Sequence, residues 1–156
     1  MSAYHERMSL IERDYVLRMI QLLARAVARI LGLKRAGHLE EALEAVSDTV
    51  DEIFGTMRTT LDAIDPQSAA RLLASQEKIE AYALLTAEEA SILELMGDAT
   101  RAKSGYRRAL SLYLEAVLLE LQISDDASAA ISQLRSKVDE STLPERYEDV
   151  LASRGT

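Results

Sequence analysis

Apolar residues along this chain recur at three- and four-residue spacing, and no run of β-branched residues alternates with period two. The pattern predicts helices and no sheet. Residues 8–36 read as one long helix with a wide apolar face: Met8, Ile11, Tyr15, Met19, Leu22, Leu23, Ala26, Ile30 and Leu33, broadened by Val16, Ile20, Val27 and Leu31. The polar remainder is a narrow stripe of Asp14, Arg18, Gln21, Arg25 and Arg29. A helix this apolar has to be covered on more than one side, either by its own chain or by a second copy of it. A second helix spans 39–54, with Leu39, Ala42, Leu43, Val46, Val50 and Ile53 along one face.

Twice the helical pattern breaks at a glycine and resumes on an alanine five residues later, from Gly37 to Ala42 and from Gly97 to Ala102. A helix end often takes the left-handed conformation, which glycine adopts without steric cost. The alanine faces the partner helix where the axes are closest, so a larger side chain would wedge them apart. Two tight antiparallel hairpins are therefore expected, at 8–54 and 76–122. The stripe of the second is Ala102, Tyr106, Ala109, Leu110, Tyr113 and Val117.

Residues 56–64 read as a turn or two of helix. Asp65 can cap the next one, with Pro66 tolerated at its first position. Helix then runs to residue 96, with a break expected near Ser75 or at Thr86-Ala87-Glu88-Glu89, which has capping-box spacing. Ser124 opens a helix over 125–139, and Leu143-Pro144-Glu145 opens a last short one. A loose end follows from Ser153. Composition does not shift along the chain and no low-complexity linker occurs. Residues 1–156 thus read as one all-α domain: hairpin 8–54, an intervening helical region 56–75, hairpin 76–122, and C-terminal helices at 125–153.

The segment from Ile92 to Ala116 resembles the second half of a tetratricopeptide repeat, with Gly97, Ala102, Tyr106 and Ala109 at the matching positions. Gly37 and Ala42 match in the first hairpin. There Val46 and Thr49 replace the preferred aromatic and alanine; in the first helices of the two hairpins Ile30 and Ala90 stand where a glycine is usual, and neither carries the family's Trp. The separation of Gly37 and Gly97 fits neither one nor two periods of ~34 residues. The region between is a worn helix pair or an insertion. The opening Arg13-Asp14-Tyr15-Val16-Leu17-Arg18-Met19-Ile20 also resembles that of a group of short, uncharacterised bacterial helical proteins. These resemblances imply a short helical solenoid or bundle and no chemistry.

Composition narrows the function. The 156 residues contain no Cys, which removes disulfides, thiolate metal sites and Cys nucleophiles, and fits a cytoplasmic location. Met1 to Arg7 has no apolar signal core, so no export is expected. A net charge of -8 argues against nucleic-acid binding, which needs a basic surface.

Catalytic chemistry is hard to place. The two histidines, His5 and His38, lack a second His at ligand spacing, so no metal or other cofactor is expected. No phosphate loop, nucleophile elbow or dinucleotide fingerprint occurs. The many carboxylates read as solvated helix faces, and no enzyme is expected.

Charge order is more informative. From Tyr15 to Leu39 the charged residues are all basic (Arg18, Arg25, Arg29, Lys34, Arg35), and from Ala36 to Met57 all acidic (Glu40, Glu41, Glu44, Asp48, Asp51, Glu52). Folding the hairpin brings the blocks together. Mutual neutralisation would fix which helices pair, while a free basic stripe could meet a small anion or an anionic membrane surface. The interruptions at Arg18, Gln21, Arg25 and Arg29 argue against a membrane-spanning helix. A second basic patch, Arg101, Lys103, Arg107 and Arg108, lies near Glu94 and Glu115, which could answer it. The expectation is a non-enzymatic protein-interaction or scaffold module that self-associates as a dimer. Its candidate partner-binding residues are Arg18, Arg25, Arg29, Tyr82, Tyr106, Arg107 and Tyr113.

Overall fold

The computed structural model describes residues 9–155, which are all-α with no strand among them. They group into two compact units, one ending at Ala63 and the other starting at Ile64. His5 and Met8 lie outside the described residues.

The first unit is built on α1 (Leu10–Arg35) and α2 (Leu39–Phe54), which pack against each other. Ser9 caps α1 by accepting from the Glu12 amide, and Lys34 and Arg35 sit in its last turn, where the helix dipole favours cations. Gly37 then takes φ +78°. Its amide bonds to Lys34 O and that of His38 to Leu33 O, the paired closure of a Schellman turn. The Tyr15 hydroxyl donates to Ile53 O at 2.8 Å, tying the start of α1 to the end of α2.

A short 3₁₀ turn, Gly55–Met57, leads into α3 (Arg58–Ala63). Arg58 fastens it to α2 by donating to Ser47 O at 3.0 Å, Ser47 Oγ at 2.7 Å and Asp51 at 3.0 Å, and it also reaches Asp62 at 3.2 Å. Burial alone would lower the Arg58 pKa, but the bonds to Asp51 and Asp62 outweigh it and hold the guanidinium charged.

The second unit begins with α4 (Pro66–Leu73), where Asp65 accepts from the Ser68 amide and Pro66 starts the helix, as expected. It ends at Ala74 in the left-handed region, φ 54°. Ser75 then caps α5 (Gln76–Leu95) by accepting from the Lys78 amide. The break therefore falls near Ser75, and α5 runs unbroken through Thr86–Glu89. There the Thr86 hydroxyl donates back to Tyr82 O at 2.7 Å, which a continuing helix allows.

Gly97 (φ +86°) closes the second hairpin in the same way as the first, with Gly97 N bonded to Glu94 O and Asp98 N to Leu93 O. Helix α6 (Ala99–Leu119) follows. Its expected apolar stripe is buried throughout, and Ser111 to Val117 are buried on every side, because α4, α5, α7 and α8 all pack on it.

Helix α6 stops at Leu119, short of residue 122. Glu120 turns extended, and the buried Gln76 amide donates to Ala116 O, Glu120 O and Gln122 O. These bonds satisfy carbonyls that the helix end leaves open. Helix α7 (Asp125–Arg135), capped by Ser124, also ends before residue 139. Turns at Glu140–Thr142 and Glu145–Tyr147 then lead into α8 (Glu148–Ser153).

Candidate interaction site

Arg25 and Arg29 lie one turn apart on α1, and Asp48 and Glu52 one turn apart on α2. The Gly37 turn brings all four into one cleft of about 250 Å³, with Leu22, Ala26, Ala45 and Thr49 completing its lining. The Thr49 hydroxyl is turned inward to Ala45 O at 2.7 Å. Among the described residues no direct ion pair joins these arginines to these acids. The charges share the cleft without closing it. Arg18 lies elsewhere on the helix, exposed and ion-paired with Asp14 one turn before it.

Of the two kinds of cover expected for α1, its own chain does not supply cover on the far side among the described residues. Val16, Met19 and Ile30 are buried, yet Leu10 is 81% exposed, Ile11 83%, Leu17 60% and Ile20 47%. Scattered exposed apolar residues are ordinary on a protein surface, whereas several in succession along one helix form a patch.

In the second unit the tyrosines singled out from sequence point inward. Tyr82 and Tyr113 are each 3% exposed and Tyr106 is 7% exposed. Arg108 donates to the Tyr82 hydroxyl at 3.1 Å, lies over its ring at 5.6 Å, and holds Ile64 O at 2.8 Å. The Tyr106 hydroxyl donates to Glu94 at 3.0 Å, and Lys137 bonds the same carboxylate while covering the ring. Burial and the Glu94 carboxylate push the Tyr106 pKa up to about 12. Burial also raises that of Tyr113, assisted by Glu80, Glu88 and Asp126. Arg107 is exposed but bonds Thr142, at 2.7 Å to its carbonyl oxygen and 3.3 Å to its hydroxyl.

Glu115 does not answer the basic patch on α6. It is buried, and Arg146 grips it with two bonds of 2.9 Å while the Tyr147 hydroxyl donates to it at 2.6 Å. Burial and the neighbouring carboxylate raise the Tyr147 pKa, and the Glu115 bond raises that of Arg146. One signal for this network was present: Glu115 is the lone charge within the run Leu112–Val117.

Comparison with family models, curated proteins and solved structures finds no match. The functional reading therefore rests on the surfaces themselves. Among the described residues no group of three or more His, Asp or Glu is arranged to hold a metal ion. No helix among them is long and apolar enough to cross a membrane. The tyrosines and Arg107 are committed to contacts within their own unit. Among the described residues, the accessible surfaces include the charged cleft of the first hairpin, the apolar face of α1, and Leu118, Leu119 and Leu121 around the end of α6.

Proposed function

We propose that this chain is a non-enzymatic protein-interaction module that self-associates through α1, built on two hairpins of tetratricopeptide-like form and working in the cytoplasm. The observation that carries the reading is the exposed apolar face of α1. Leu10, Leu17 and Ile20 lie open to solvent at helical spacing, whereas the large apolar residues exposed on α5 and α6, Leu95, Leu118 and Leu119, sit at the helix ends. Covering such a face would gain about 25 cal/mol per Å² of apolar surface removed from water, against the entropy cost of association. The tetratricopeptide-like part draws support from the two left-handed glycines and from Ala42 and Ala102, which are buried in the hairpins.

Light scattering after size exclusion, across protein concentration and at low and high salt, tests the reading. The expected result is a dimer that survives salt, since apolar burial is not screened. A monomer throughout overturns self-association.

A second reading, binding of a small anion or an anionic membrane surface by the basic face of α1, draws on Arg25 and Arg29 at the cleft. Asp48 and Glu52 line the same cleft and oppose it. Sedimentation with anionic vesicles decides it, and binding that is absent or indifferent to salt overturns it.

A further inference from the structure

The exposed face of α1 carries a spacing that the apolar stripe alone does not reveal. Leu10, Leu17, Ile20, Ala24, Val27 and Leu31 follow one another at alternating seven-residue-repeat positions, with Arg13 and Lys34 completing the repeat near the two ends. Leu10, Leu17, Ile20 and Ala24 are exposed, and Val27 and Leu31 are half-buried. That is the spacing of a coiled-coil seam, on which a second helix could lie.

We propose that this second helix is α1 of a second copy, lying antiparallel. The inference rests on the self-association reading above and adds the orientation and register. Three properties of the seam point to it.

First, the seam is self-complementary when reversed. Leu17 then meets Val27 of the second copy, and Ile20 meets Ala24, so a large side chain faces a smaller one in every central layer. A two-fold interface requires such reciprocity.

Second, the charges on the seam disfavour the parallel alternative. In register and parallel, Arg13 would face Arg13 of the copy and Lys34 would face Lys34, which is repulsive. Reversed, Arg13 lies beside Leu31 and Lys34 beside Leu10, so neither cation meets its own copy across the seam.

Third, the basic end of α1, with Lys34 and Arg35 in its last turn, is brought to the partner's first turn, where Glu12 stands beside Arg13, and away from the partner's own Lys34 and Arg35. Antiparallel helix dipoles add to this preference.

The chain has no cysteine, so introduced thiols report contact without background. Reduced Leu17→Cys and Val27→Cys proteins, one of them enlarged by a tag, are oxidised either alone or after mixing and subunit exchange, with the mass of the parent chain measured in parallel. The expected result is a parent dimer, a disulfide between the two variants when mixed, and little from either alone. In the antiparallel register two Leu17 positions are offset by about 15 Å at 1.5 Å per residue, beyond the ~7 Å that a disulfide spans between Cα atoms.

A parent dimer in which Leu17→Cys cross-links to itself overturns the antiparallel arrangement and leaves self-association standing. A parent dimer with no cross-link in any arm places the interface elsewhere and overturns the proposed seam. A monomeric parent overturns both readings. Leu10→Cys with Lys34→Cys repeats the test at the helix ends. It serves if the half-buried Val27 does not tolerate replacement, which circular dichroism of each variant reveals.

Discussion

The backbone of Gly105 lies against Ala90 so closely that a β-carbon on Gly105 would stand 2.8 Å from the Ala90 Cβ. This is where α5 and α6 cross, and it fixes how near they come. Glycine in a helix interior costs about 1 kcal/mol relative to alanine, so Gly105→Ala would stabilise an open helix. Here the methyl has no room, and overpacking costs typically 1–3 kcal/mol. The variant is expected to be less stable than the parent in urea unfolding. Adding Ala90→Gly should recover part of the loss, and a double-mutant cycle with no coupling would show that the crossing is looser than this.

Removing either partner of the Glu115–Arg146 pair should destabilise the second unit, and unequally. Arg146→Ala leaves a carboxylate, 5% exposed at its side chain, with only the Tyr147 hydroxyl. Breaking a fully buried pair costs about 3–5 kcal/mol. Arg146 is about one-third exposed, so solvent screening reduces this to roughly 2 kcal/mol. Glu115→Gln keeps an acceptor and the volume, and is expected to lose less. Equal losses in urea unfolding would mean that the network depends on the charge of Glu115 and not on its acceptor oxygens alone.

These two contacts mark where sequence reading works and where it stops. The hairpin turns, the Asp65–Pro66 helix start and the opposed charge blocks of α1 and α2 are local, and periodicity with turn chemistry exposes them. Ser75 and Thr86 each offered a hydroxyl that could cap a helix. What separates them is Ala74 in the left-handed region, a backbone state no side-chain pattern announces. Glu115 finds its partner in a distant turn, and Gln76 reaches three carbonyls at the far end of α6. Pairings across such separations leave no spacing to read. For Tyr82, Tyr106 and Tyr113, periodicity places the ring on the apolar face but does not say whether a cavity or a groove receives it.

Alkaline pH should unfold the second unit over a defined window. The pKa of Tyr106 is raised from its ordinary value of 10 to about 12, by burial and by Glu94, and those of Tyr113 and Tyr147 are raised as well. A tyrosine whose pKa is higher in the folded state supports that state fully below pH 10 and loses the support as pH rises toward the folded value. Stability should therefore be flat up to pH 10 and fall beyond it. Tyrosinate absorbance should lag the curve of a free tyrosine and then rise together with the loss of helical circular dichroism. Early titration of these tyrosines in a still-helical protein would contradict their burial.

Glu80 poses the opposite case on the acid side. It accepts from the Ser124 hydroxyl at 3.0 Å, yet burial raises its pKa, and Glu77 and Asp126 add repulsion. A carboxylate with a raised pKa opposes folding when charged, so the cost is present above its titration range and vanishes below it. Glu80→Gln keeps an acceptor for Ser124 and removes the charge. The variant is expected to be more stable than the parent in urea at pH 7 and to converge with it at pH 3, where Glu80 is protonated. A variant less stable at pH 7 would mean that the Ser124 bond needs a charged acceptor to hold the start of α7, and that this bond outweighs the burial of the carboxylate.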